Sequence, residues 1–210
     1  MTRQGIHSLN NLHIDASASD AATSHSRRLS AELVQKLKAA NPEASIVYRD
    51  VAADRLPHVD MTIRQAWTPG GEKDASLTAT ATRSRAMVDE LKAANVVVIG
   101  SPMCSFAVPS TLKAWIDHVA IAGQTFQYTA SGAKGMLSGK AYLALSSGGV
   151  YSQGPFAPLE HLSTYLTAVL NFLGISDVEV VSAEGVAYGP KQDKAAMISA
   201  QDRIGVLVSV

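Results

Sequence analysis

The sequence predicts an α/β fold, a doubly wound five-stranded parallel sheet with helices on both faces. Short runs rich in β-branched residues alternate along the chain with helical periodicities. Two of these runs, Val96-Val-Val-Ile-Gly and Tyr142-Leu-Ala-Leu-Ser, are apolar at consecutive positions, as strands buried on both faces are. A helical segment follows each run, and parallel strands need such crossovers, which are right-handed.

The elements follow in chain order. A strand is predicted at residues 11–15, then a helix whose apolar face is Leu29, Leu33, Val34, Leu37 and Ala40. The second strand is expected at residues 45–50. Residues 54–74, which include Pro57, Pro69, Gly70 and Gly71, are irregular in composition and predict no regular element. Met87, Val88, Leu91 and Ala94 mark a second helix, and residues 95–101 the third strand. The third helix, residues 111–121, turns Leu112, Trp115, Ile116 and Val119 inward. A fourth strand at 140–146 precedes a helix carrying Leu159, Leu162, Leu166, Val169, Leu170 and Leu173, with Gly174 as its stop. The last strand is expected at 177–182 and the last helix from about Lys191. Residues 1–210 read as one domain, with 1–11 an N-terminal extension.

Composition narrows the function. The chain has 210 residues, 18 basic and 18 acidic side chains, and a net charge of zero. A neutral surface argues against non-specific nucleic-acid binding, so an anionic ligand must be held by local geometry. The single cysteine, Cys104, excludes an internal disulfide and a Cys-based zinc site, and points to the reducing cytoplasm. No stretch has the apolar length of a signal sequence or a membrane span, so a soluble, unexported protein is expected. His7, His13, His25, His58, His118 and His161 form no i, i+4 pair suited to zinc, and no metal is expected.

Ligands of such sheets bind at the carboxyl ends of the strands. After the first strand comes Asp15-Ala-Ser-Ala-Ser-Asp-Ala-Ala-Thr-Ser-His-Ser-Arg-Arg, which runs into the first helix. Ser17, Ser24 and Ser26, with the free N–H groups of the helix, make an anion site. The same serines also serve as plain helix caps. Neither a G-x-G-x-x-G turn nor a triphosphate P-loop occurs here, which leaves a mononucleotide phosphate such as that of FMN. The turn after the third strand, Ser101-Pro-Met-Cys-Ser-Phe, suits the edge of a flat polar ring. In Ser146-Ser-Gly-Gly-Val-Tyr, the paired glycines permit close approach of backbone to a ligand. Arg27, Arg28, Lys36 and Lys38 read as a solvated helix face, with Arg27 near enough to the first loop to help there. His118 lies off its helix's apolar stripe and is expected to be exposed or interfacial.

A longer ordered series of residues carries a resemblance. It comprises Pro102-Met-Cys-Ser-Phe, Pro109-Ser-Thr-Leu-Lys-Ala-Trp-Ile-Asp-His-Val-Ala, Gly123-Gln-Thr-Phe-Gln-Tyr-Thr, Gly135-Met-Leu-Ser-Gly-Lys, Ser147-Gly-Gly, Phe172-Leu-Gly-Ile and Ala183-Glu-Gly-Val-Ala-Tyr-Gly-Pro. In these the chain resembles the FMN-dependent, NADH-linked azoreductases, also called quinone reductases, which have a flavodoxin-like fold. The resemblance runs from Leu12 to about Lys191.

The resemblance implies that Ser17, Ser24, His25 and Ser26 form the FMN phosphate loop. It implies that Pro102, Met103, Cys104, Ser105 and Phe106 lie against the isoalloxazine ring, and that Ser146, Ser147, Gly148 and Gly149 form a second flavin turn. It further implies a homodimer with each flavin near the interface, and a substrate cavity to which the 125–128 loop contributes. Phe126, Tyr128 and Tyr151 are the candidate substrate contacts, with core packing as the alternative for all three. NADH or NADPH would reduce the flavin, and a quinone or azo compound would then take the same cleft, a ping-pong sequence. Backbone N–H groups after the fourth strand would stabilise the reduced ring.

Two departures stand out. The family often has Tyr-Asn where this chain has Cys104-Ser105, and often Arg where it has Ser147. Substrate range and flavin potential are the properties these changes touch. A phosphatase-like role for Cys104 would need Arg at position 110, where the chain has Ser110. The rival classes are a flavodoxin-type electron carrier, which is usually strongly acidic, and a signalling or structural protein with an empty pocket.

Overall fold

The computed structural model describes residues 9–68 and 75–208. Most of the expected N-terminal extension, together with Pro69, Gly70 and Gly71, lies outside the described residues. The elements are β1 (Asn10–Asp15), α1 (His25–Ala40), β2 (Ser45–Asp50), α2 (Met61–Ala66), α3 (Ala75–Ala93), β3 (Val96–Pro102), α4 (Ser110–Val119), β4 (Phe126–Thr129), β5 (Gly132–Gly135), β6 (Lys140–Ser147), α5 (Leu162–Leu173), β7 (Asp177–Glu184) and α6 (Pro190–Leu207). Five of the strands form one sheet in the order β2-β1-β3-β6-β7. Every neighbouring pair in it is parallel. The strand order reverses between β1 and β3, which opens a crevice at their carboxyl ends.

Both faces of the sheet are covered, as the consecutive apolar residues require. Leu12, Ile14, Val97, Ile99, Leu143 and Leu145 pack in one layer with residues of α3, α4 and α5. Val98, Tyr142, Ala144 and Val181 form the other layer with Leu29, Leu33, Val34 and Leu37 of α1 and with Met197, Ala200 and Ile204 of α6. At Gly100 on β3 the side chains of β1 and α1 approach closely, since a Cβ there would stand 2.3 Å from Asp15 Oδ1 and 2.7 Å from Ser30 Oγ.

The sheet holds the five predicted strands, and the described residues add two features to the expected pattern. One is α2, a short helix inside the irregular segment, whose cap is Asp60 accepting from the Ile63 N–H at 2.8 Å. The other is an antiparallel hairpin of β4 and β5 between α4 and β6. The fourth predicted helix starts later than its apolar pattern, because Leu159 lies in a 3-10 turn and α5 begins at Leu162. Glu160 sets that start: its carboxylate accepts from the N–H groups of Leu162, Ser163 and Thr164. Burial pushes the Glu160 carboxyl up, but these bonds outweigh it and hold the group below its ordinary range. Gly174 ends α5 in the left-handed conformation at φ 109°, as its position predicts.

Two surface expectations are overturned. His118 is fully buried, because its ring meets Ser84 Oγ at 2.7 Å and donates to the Pro57 carbonyl at 2.9 Å. Arg27 is buried too, drawn inward by acidic and carbonyl groups that lie behind the loop after β1. Arg28 remains exposed, as expected of a solvated helix face.

Candidate active site

Three loops converge at the carboxyl edge of β1, β3 and β6. Ser17, Ser19, Thr23, Ser24 and His25 from the first loop line one open cleft of about 200 Å³ with Pro102, Met103, Ser146, Ser147, Gly148 and Val186. Met103, Ser146 and Ser147 also line an adjoining hollow of about 140 Å³ that runs toward Glu160, Leu162 and Glu184. The two hollows meet at the ends of β3 and β6.

The first loop is built as a helix entrance. Ser24 caps α1 by accepting from the Arg27 N–H at 3.3 Å, and its Oγ lies 3.3 Å from Ser26 Oγ. Asp20 closes the outer end of the loop by accepting from the Thr23 N–H and hydroxyl. Those bonds hold the Asp20 carboxyl below its ordinary range. Among the described residues, nothing accepts a hydrogen bond from the N–H groups of His25 and Ser26. They are the free donors that the first turn of a helix must present, and the helix dipole reinforces them. His25 Nε2 lies 2.6 Å from Asp193 Oδ1, which ties the start of α1 to the start of α6.

The second loop makes a tight reversal. Cys104 N–H donates to the Ala107 carbonyl at 2.9 Å and Ala107 N–H to the Cys104 carbonyl at 3.0 Å. The two residues between, Ser105 and Phe106, both have positive φ, 48° and 72°. That is a type I′ turn built without glycine or asparagine. Phe106 packs edge-on against Tyr151 at 6.0 Å, and its carbonyl accepts from the His161 N–H at 3.1 Å. Partial burial of the sulfur pushes the Cys104 thiol up, opposite to the shift that activates a nucleophile, although the residue as a whole is exposed.

The third loop has its carbonyls tied down and its amides free. Ser147, Gly148 and Gly149 carbonyls accept from the N–H groups of Val186, Ala187 and Gly185 respectively. Glu184 accepts from the N–H groups of Tyr151 and Ser152. Among the described residues none accepts from the N–H groups of Gly148, Gly149 or Val150. A hydroxyl-lined helix start and a row of open amides therefore share one edge of one sheet.

A family model for the flavodoxin-like fold matches residues 10–207. The chain belongs to this flavodoxin-like family. It is 45% identical over 189 residues to an FMN-dependent NADH:quinone oxidoreductase of Rhizobium johnstonii, covering 89% of this chain and 93% of the relative. It is 45% identical over 200 residues to FMN-dependent NADH:quinone oxidoreductase 2 of Xanthomonas euvesicatoria, covering 94% and 92%. Among solved structures, an FMN-dependent NADH-azoreductase of Bacillus anthracis in complex with FMN superposes with a TM-score of 0.82 at 27% identity, over 95% of this chain and 100% of that one.

Within this flavodoxin-like chain, Ser17, Ser24, His25, Pro102, Met103, Ser146, Ser147 and Gly148 come together around the cleft. Ser26 is not among the cleft's lining residues but its Oγ lies 3.3 Å from that of Ser24, and Gly149 faces the Tyr151 ring. Cys104, Ser105 and Phe106 form the exposed turn at the rim, with Tyr151 against Phe106. Phe126 and Tyr128 do not join them. They line a separate groove with Arg64, Trp67 and Asp117, where Tyr128 is 77% exposed. The sequence reading missed Ser19, Thr23 and Val186 as lining residues and Glu184 as the anchor of the third loop; the hydroxyl-rich stretch after Asp15 was the available signal for the first two.

Proposed function

We propose that this protein is an FMN-dependent NADH:quinone oxidoreductase that also cleaves azo compounds, working by a ping-pong sequence in the cytoplasm. The observation that carries the reading is the convergence, at one sheet edge, of the free N–H groups of His25 and Ser26 with those of Gly148 and Gly149. The residues fit a flavin mononucleotide: a phosphate suits the hydroxyls of Ser17, Ser24 and Ser26 with the α1 N-terminus, and a polar ring edge suits the open amides. The names of the relatives support the donor and the acceptor. Bound there, FMN supplies two-electron chemistry between a nicotinamide and a quinone or azo compound.

The chain's own residues bind, orient and screen. Ser17, Ser24, Ser26 and the first turn of α1 hold the anion, without any need for net positive charge. Met103 to Phe106 hold the ring from one side, and the amides of Gly148 and Gly149 favour negative charge on its polar edge. Donor and acceptor use the same open face in turn. Two copies pair, and Phe126 and Tyr128 of each protomer complete the acceptor pocket of its partner; the exposure of Tyr128 away from its own cleft favours this arrangement.

The visible spectrum of the purified protein, titrated with NADH in the absence of air, tests the reading. A flavin band bleached by NADH, with parallel steady-state lines for NADH and a quinone, is expected. A colourless protein with no affinity for FMN would mean an empty flavodoxin-like fold. A band that NADH leaves intact would mean an electron carrier that depends on a partner reductase, and intersecting lines would remove the ping-pong order.

A further inference from the structure

Arg27 sits directly behind the loop that follows β1, and its guanidinium is spent on groups that face away from the cleft. Nε donates to the Ser19 carbonyl at 2.8 Å and Nη2 to the Ser17 carbonyl at 2.6 Å. Nη2 also meets Asp50 Oδ2 at 2.8 Å. Nη1 donates to the Tyr48 hydroxyl at 3.0 Å and lies 3.6 Å from Asp15 Oδ2. Tyr48 in turn donates to Asp15 Oδ2 at 3.2 Å, and Ser30 donates to Asp15 Oδ1 at 2.7 Å. A guanidinium has five N–H donors in a fixed fork; four partner atoms lie within hydrogen-bond distance of this one, and Asp15 Oδ2 stands farther off beside Nη1. The fork is thus engaged by the loop carbonyls, Tyr48 and the two carboxylates.

We propose that Arg27 is a positioning residue for the phosphate site, gripping the Ser17 and Ser19 carbonyls from behind so that the loop's hydroxyls and amides face forward. This rests on the FMN reading given above. A peptide unit whose carbonyl is fixed on one side must direct its N–H to the other, so holding two carbonyls in the loop sets the direction of the donors beyond them. Asp50 at the end of β2 and Asp15 at the end of β1 more than offset the guanidinium's charge, which makes the contribution geometric. Arg27 is raised above its ordinary value, first by its bond to Asp50. Burial raises Asp50, but the bond to Arg27 and its charge, together with the N–H groups of Ala52 and Ala53, outweigh it and the carboxyl sits low.

Arg27→Lys and Arg27→Met, with Asp50→Asn as a milder break at the far end, test the assignment through dissociation constants for FMN and for riboflavin, read by flavin fluorescence quenching. Riboflavin lacks only the phosphate. The expected result is a loss of about tenfold or more in FMN affinity for both Arg27 variants, with riboflavin affinity changed less than about twofold. Lysine does not rescue, because one ammonium cannot span Ser19, Ser17 and Tyr48 together. A Lys variant that binds FMN like the wild type would show that charge alone suffices, and equal losses for FMN and riboflavin would show a general loss of structure. Either result overturns the proposal. Amide hydrogen exchange over residues 17–26 in the flavin-free protein gives a second reading, with faster exchange expected in both Arg27 variants; unchanged exchange would also overturn it. Failure of the wild-type protein to bind FMN at all would instead overturn the functional reading on which the proposal rests.

Discussion

Backbone strain in the site is concentrated at Ser105 and Phe106, the left-handed pair in the turn after β3. An L-residue there costs about 1–2 kcal/mol unless its side chain is glycine-like or locally bonded. Serine meets neither condition well, whereas asparagine tolerates the left-handed region. Ser105→Asn and Ser105→Gly are therefore expected to stabilise the fold by about 1 kcal/mol, measured as a raised denaturant midpoint at unchanged slope. A lowered midpoint for both would mean the turn is held by contacts that φ does not reveal. Serines at a helix start and glycines after a strand were legible because their roles are local. Arg27 and His118 were misread for the opposite reason: Asp50 and Tyr48 draw Arg27 inward, Ser84 and Pro57 draw His118 inward, and none of these partners is near in sequence.

Elements were legible where they are long and buried. Strands β3 and β6 announce themselves by consecutive apolar residues, and α5 by its stripe and its glycine stop. Helix α2 spans only Met61–Ala66, too short for periodicity to register, and the β4–β5 hairpin is largely exposed, so no apolar alternation marks it. The joint between α3, α4 and the segment before α2 depends on His118. Its Nε2–H donates to Pro57, and burial lowers its affinity for a proton, with Arg83 acting in the same direction and the Pro57 bond and Asp117 opposing. The folded state thus binds that proton less readily than the unfolded chain. Stability from this site is complete above the ordinary histidine value of about 6.5 and declines as the pH falls toward the lower folded value. Thermal melting from pH 8 to pH 5 is expected to fall more steeply for the wild type than for His118→Gln. Identical slopes would remove His118 from the acid response.

For the molecule as a whole, a doubly wound sheet was readable from alternation alone, and the switch point between β1 and β3 placed the cleft where the Ser, Met and Gly-Gly segments already pointed. What no linear pattern could supply was the separation of Phe126 and Tyr128 from that cleft, because it depends on how the hairpin folds away from the sheet. The hairpin is attached to α5 through Leu137 N–H to the Leu173 carbonyl at 2.9 Å, and shares no ladder with the five-stranded sheet. Its tip, Thr129 to Gly132, is exposed and, among the described residues, held only by bonds within the turn. Such tips accept inserted sequence. If, as proposed, the hairpin completes the acceptor pocket of a partner protomer, a peptide epitope spliced between Ala130 and Ser131 is expected to leave FMN affinity unchanged while lowering kcat/KM for a quinone about tenfold or more. Loss of both would show that the hairpin supports the domain itself. The fold thus offers a port in mid-chain, through which a second module could be plugged in and used to throttle turnover without stripping the cofactor.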